Sequence, residues 1–154
     1  MRRKYLYSIS ILVATLLSFA ALSSCEEEDD LAEIFNGNSF KITGITYNGK
    51  KVVSGVTELY AAPGTYWITF NMQTFQGMLN ATSPIEGTYS ADGKTHSFTT
   101  SLTAGSSPKE ASELCREIFT IIRDAQAYKG DHNILRIIKD RDTYIELSST
   151  STIK

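Results

Sequence analysis

Histidine, cysteine and tryptophan are scarce in this 154-residue sequence, which has two, two and one of them. His96 and His132 lie far apart, and no cysteine or glutamate joins either at ligand intervals, so no metal spacing emerges and each reads as a solvated imidazole. Gly-x-Ser-x-Gly, a phosphate loop and His-Glu-x-x-His are all missing. With no acid, base and nucleophile in a recognisable arrangement, the expectation is a nonenzymatic protein without catalytic residues, metal or cofactor. Basic excess is also lacking: 15 Lys and Arg face 17 Asp and Glu, a net charge of −2, which leaves no basic face for nucleic acid. Asp131 near Asn133, and Asp140 with Asp142, hint at calcium, but turns are where aspartates belong and the EF-loop spacing is missing.

What is present begins with Met1-Arg2-Arg3-Lys4, a compact positive cluster, followed by uncharged, largely apolar sequence through Ile9, Leu12, Leu16, Phe19 and Leu22. This is the charged and apolar pattern of a signal peptide. The apolar run is shorter than the roughly 20 residues of a spanning helix and stops at Leu22-Ser23-Ser24-Cys25 instead of a basic flank, so a retained span is the weaker reading. Leu-Ser-Ser-Cys resembles the lipobox of bacterial lipoproteins. The resemblance implies removal of residues 1–24, acylation of Cys25, and a membrane partner reached through that lipid, at the outer membrane of a Gram-negative bacterium. Two or three acyl chains anchor stably, since each buried methylene contributes about 0.8 kcal/mol. An ordinary secretory signal with a chance cysteine is the alternative.

Glu26-Glu27-Glu28-Asp29-Asp30 follows at once, a self-repelling block that reads as part of an extended tether over residues 25–35. It also resembles the acidic export signal that carries some lipoproteins to the cell surface; a plain solvated spacer explains it equally. Loss of the leader takes Arg2, Arg3 and Lys4 with it and moves the net charge from −2 to −5. The remainder suits one domain, placed at 36–148, with a frayed tail at 149–154. Lipid on Cys25 leaves Cys115 without a thiol partner, and in a helix it reads as a small core residue rather than a nucleophile.

Along the domain, Ser39-Phe40-Lys41-Ile42-Thr43 alternates and resumes out of phase after Gly44, predicting a β-bulge there. Asn48-Gly49 and Asp92-Gly93 predict hairpin turns, and Pro63-Gly64 predicts a turn before the strand Thr65 to Phe70. Within that strand Trp67 faces opposite to Tyr66, Ile68 and Phe70, as either core or rim, or as a binding platform if exposed. A strand is expected around Met78 and Leu79, after Gly77. Ser106-Ser107-Pro108-Lys109-Glu110 reads as a helix start, and Ala111, Leu114, Ile118, Ile121, Ile122 and Ala125 form one apolar stripe, with Gly130 ending the segment. Two strands close the domain, Ile134 to Ile138 and Thr143 to Leu147, with Leu135, Ile137, Ile145 and Leu147 inward and Arg136, Tyr144 and Glu146 outward.

The order of Gly87-Thr88-Tyr89, Thr99-Thr100, a helix through Leu114, Phe119 and Ile122 to Tyr128, then Leu135-Arg136-Ile137 and Tyr144-Ile145-Glu146-Leu147 resembles the META or HslJ-like domain of bacterial lipoproteins. Gly77-Met78-Leu79-Asn80 and Cys115 depart from that family's cysteine pattern, so no disulfide carries over. The fold expected is α+β and mainly antiparallel β: a small curved sheet or partly closed barrel with one helix packed on it, or alternatively a lipocalin-like barrel. Three roles follow: a noncatalytic envelope or surface module that binds a protein or glycan or supports the envelope, a carrier of a small apolar ligand, and, with least support, an enzyme. Neither the ligand-binding residues nor the oligomeric state can be read from the sequence.

Overall fold

The computed structural model describes residues 28–52, 57–106, 108 and 111–150. Helix α1 (Leu31–Phe35) precedes β1 (Ser39–Tyr47), the short β2 (Lys50–Lys51), β3 (Trp67–Asn71), β4 (Thr74–Met78), β5 (Pro84–Asp92) and β6 (Ser97–Leu102). Helix α2 (Glu113–Arg123) and strands β7 (Ala127–Gly130), β8 (Ile134–Asp140) and β9 (Thr143–Ser149) complete the chain. Neighbouring strands pair antiparallel in the order β1-β3-β4-β5-β6-β7-β8-β9, and β9 returns to β1, giving an eight-stranded closed barrel with β2 as a stub beside β1. The mainly antiparallel α+β barrel expected from the pattern is the fold observed.

Local sequence explains several joints. Between β1 and β9 the register shifts after Ile42, so that Ile42 and Ile45 both point inward, and a Cβ on Gly44 would lie 2.8 Å from Glu146 Oε2. This is the bulge that the broken alternation requires. Asn48 and Gly49 have φ of 50° and 74°, the positive pair of a tight hairpin turn. Asp92 instead opens a longer loop, accepting hydrogen bonds from Lys94 N (3.0 Å) and Thr95 N (2.7 Å) before the chain enters β6.

Elsewhere the structure corrects the sequence reading. Helix α2 starts at Glu113 with Ser112 as its cap, whose Oγ accepts from Cys115 N at 3.2 Å. Ser106, the expected cap region, is held at β5 instead: its hydroxyl accepts from Glu86 N and donates to Glu86 O, both at 2.9 Å. The helix ends at Arg123, not at Gly130, because residues 127–130 are taken as a strand against β8. β4 runs through Gly77 rather than following it: Gly77 pairs with Ile68 and Ile85, and its missing side chain leaves room for Trp67 O, which a Cβ would meet at 2.2 Å. At the end of the domain Ser149 still pairs with Phe40, so the folded body extends past the expected boundary, and residues 151–154 lie outside the described residues.

The largest correction concerns residues 29–35, read as part of a tether. Asp30 caps α1 through Ala32 N and Glu33 N, and Phe35 is fully buried among Phe70, Tyr89, Phe98 and Tyr128, with ring centroids 5.2 to 5.5 Å away. Residues 29–35 are therefore part of the folded body, with Asp29 N also donating to Gly93 O at 3.2 Å.

β6 and β7 share a single residue pair, Ser97 with Ala127, and α2 lies along this weak seam. Thr100 Oγ1 donates to Ile122 O at 2.6 Å, and Leu114, Ile118, Ile121, Ile122 and Ala125 are all buried, so the apolar stripe fills the barrel. The space left between Ile68, Phe70, Phe75, Phe98, Ile122 and Ile137 is only about 10 Å³. That is at the threshold for one water molecule.

Candidate functional site

With the barrel centre filled, the open concavities lie on the outer surface. Alternation along β1 buries Phe40 and Ile42 and turns Lys41 outward, while β3 does the same with Ile68 inward and Trp67 outward. Because β1 and β3 are neighbours, Lys41 and Trp67 are direct cross-strand partners. The loop before β3 reverses at Gly64, with φ of 72°, and brings Tyr60 and Pro63 over the same surface. The result is an open groove of about 380 Å³ lined by Lys41, Tyr60, Pro63, Thr65 and Trp67, with Thr150 at its border.

Fixed contacts hold this surface in shape. Trp67 Nε1 donates to Gly64 O at 2.8 Å and Thr65 Oγ1 to Ala62 O at 2.8 Å, which ties the loop to the strand. Lys41 Nζ donates to Thr65 O and lies 5.7 Å from the Tyr60 ring centroid and 5.8 Å from that of Tyr66. Partial burial lowers the Lys41 pKa from its ordinary value, because the ammonium has given up some hydration. Tyr60 is 56% exposed and Trp67 half-buried, so both keep apolar surface available.

Beneath the groove a polar cluster anchors the loop. Tyr66 OH and Ser112 Oγ each donate to Glu58 Oε1 at 2.5 Å, linking the loop to the first turn of α2. Burial, then the Glu58 contact, pushes the Tyr66 phenol well above its ordinary pKa. Tyr66 itself adopts φ of 53°, an uncommon conformation for a bulky residue, in the loop that supports the groove.

The other residues singled out in the sequence are dispersed. Cys25 lies outside the described residues. Cys115 is free and fully buried, and burial pushes its thiol up, which suits a core position. The two histidines are half-exposed, but each meets an acid of the N-terminal segment: His96 Nε2 lies 3.2 Å from Asp29 Oδ2, and His132 Nδ1 lies 3.1 Å from Glu33 Oε1. Tyr128 OH also donates to Asp29 Oδ2, at 2.7 Å. Asp131 and Asp140 build turns, accepting from Asn133 N and Asp142 N. Among the described residues no three His, Cys, Asp or Glu side chains converge on a metal position, and no helix is long and apolar enough to cross a membrane.

Sequence reasoning considered Trp67 as a platform but missed Lys41 and Tyr60. The outward phase of Lys41 was legible, yet its pairing with Trp67 depends on β1 lying beside β3, which sequence alone does not disclose. A wider trough beside α1, lined by Leu31, Met72, Thr88 and Tyr89 among others, offers no charged group to select a ligand.

Residues 26–149 match the family described as "Domain of unknown function (DUF4847)". No curated protein matches the chain. A crystal structure of a DUF4847 family protein from Bacteroides vulgatus ATCC 8482 aligns at a TM-score of 0.61 and 24% identity, covering 77% of this chain and 96% of that one. The fold is shared at that level of identity. These matches overturn the META or HslJ-like resemblance. The glycine of the Gly87-Thr88-Tyr89 motif has a packing reason in this barrel, since a Cβ at Gly87 would lie 2.2 Å from Ser101 O.

Proposed function

We propose, from the premise that this chain belongs to the DUF4847 family, that it is a lipid-anchored, noncatalytic module of the bacterial envelope or cell surface that binds a protein or glycan on the outside of its barrel. The observation that carries this reading is the contrast between an interior cavity of about 10 Å³ and an open external groove of about 380 Å³. Small-ligand carriers need internal space, typically roughly 300 to 1,000 Å³, so the filled interior argues against an apolar cargo. The groove itself offers an ammonium, two aromatic surfaces and hydroxyl and indole groups already donated to backbone, a set suited to holding a partner rather than transforming it.

The anchoring half of the proposal rests on Leu22-Ser23-Ser24-Cys25 and the basic and apolar segments ahead of it. Outer-membrane placement is supported by the same leader, and surface exposure by the likeness of the acidic run to an export signal, which a plain spacer explains equally. In metabolic labelling with a fatty-acid analogue, the wild-type protein acquires label and Cys25→Ala does not. Equal labelling of both would refute the anchor.

A further inference from the structure

From the groove between β1, β3 and the loop ending at Thr65, we infer that this protein binds an acidic saccharide, with the sugar face on Tyr60 and Trp67 and its carboxylate on the Lys41 ammonium. The inference rests on the external-binding reading above and specifies its ligand.

Three observations support it. The described residues lining the groove include one cation and no carboxylate, although the chain after its leader has a net charge of −5. Lys41 enters no ion pair among the described residues, and one of its three N–H donors goes to Thr65 O, leaving two directed elsewhere. A partly desolvated cation without a counterion gains more from an arriving anion than a hydrated surface lysine does. Tyr60 and Trp67 then offer the apolar ring surfaces that the C–H face of a sugar covers, with the Trp67 indole held by Gly64 O. A bare small anion would leave those surfaces unused, and a neutral sugar would leave the ammonium with Thr65 O and ring faces but no anion; an acidic sugar engages both.

Trp67 is the only tryptophan in the chain, so its fluorescence reports this groove directly. The protein as purified from its host, kept in detergent micelles, is titrated with tetragalacturonate, with its uncharged methyl ester and with acetate. Tetragalacturonate is expected to change the emission saturably, more weakly as salt is raised. Loss of a hydrogen bond to a charged group weakens binding by about tenfold or more, so Lys41→Gln should show that loss. Tyr60→Ala, at an exposed ring outside the core, should also weaken binding, and circular dichroism verifies that both variants fold. If the ester binds as tightly as the acid and Lys41→Gln changes neither, the acidic assignment is overturned while external glycan binding stands. If acetate reproduces the response, the site holds a bare carboxylate and the saccharide assignment is overturned. If the folded wild type responds to neither sugar, the inference is overturned, and cross-linking of a protein partner to the barrel would show that the broader external-binding reading survives it.

Discussion

Replacing Phe35 by alanine tests whether the segment after the acidic run is part of the fold or part of a leash. Phe35 is fully buried and meets four aromatic rings, two edge-on (Phe70, Tyr128), one stacked (Phe98) and one tilted (Tyr89). Emptying a buried phenylalanine site costs about 3 to 5 kcal/mol, and edge-to-face or stacked partners add about 0.5 to 1.5 kcal/mol each beyond area, which favours the upper part of that range. Glu33→Ala is the matched control on the same helix, with a 63% exposed carboxylate facing His132, and should cost less than about 1 kcal/mol. The assay is equilibrium urea unfolding followed by circular dichroism. With a slope of about 2 kcal/mol per molar, Phe35→Ala should move the midpoint down by roughly 2 M at unchanged slope. If Phe35→Ala shifts the midpoint no more than Glu33→Ala does, α1 is not docked in the barrel mouth and the reasoning fails.

Two further perturbations address the seam and the acid limb. Ile118→Ala should cost about 2 to 5 kcal/mol, since the side chain is fully buried in the stripe of α2, whereas Arg116→Ala should stay within about 0.5 kcal/mol; equal effects in urea unfolding would mean that the stripe is not core. The Arg123 guanidinium, with help from Lys139, holds the Asp124 carboxyl down at about 2. A folded pKa below the unfolded value of about 3.9 stabilises the fold above that pH, and the contribution is lost as pH falls through about 2. Asp124→Asn should therefore unfold with a shallower acid limb between pH about 4 and 2, its effect at neutral pH staying below about 1 kcal/mol because solvent reaches and screens the half-exposed pair. An unchanged limb would refute the assignment.

Legibility in the sequence tracked how local each cause was. The Gly44 bulge, the Asn48-Gly49 turn and the inward and outward faces of β8 and β9 depend on adjacent residues, and each was readable. Arg136 and Glu146 do pair at 2.7 Å on the outer face, and Arg136 lies over Tyr144. The start of α2 was misread because several serines could cap it, and the choice is made by Glu86 taking Ser106 and Glu58 taking Ser112. Its end was misread because β8 needs a partner strand to close the ring, a demand made from outside the helix. α1 was invisible for the opposite reason: five acids in a row advertise solvent, yet Asp29 meets Tyr128 and Asp30 caps a helix, both nonlocal or geometric outcomes. The groove shares that fate, since Lys41 and Trp67 become neighbours only when β3 docks beside β1.

The return of β9 to β1 has a social consequence. Open sheets offer unpaired backbone to any similar chain, and copies crowded on one surface, as the proposed anchor implies, would meet at high local concentration with their orientations partly aligned. Ring closure withdraws that invitation, and α2 lies across the one sparsely paired junction. The short overhang that remains, β2, consists of Lys50 and Lys51, both exposed, so two neighbouring molecules that tried to join there would bring like charges together.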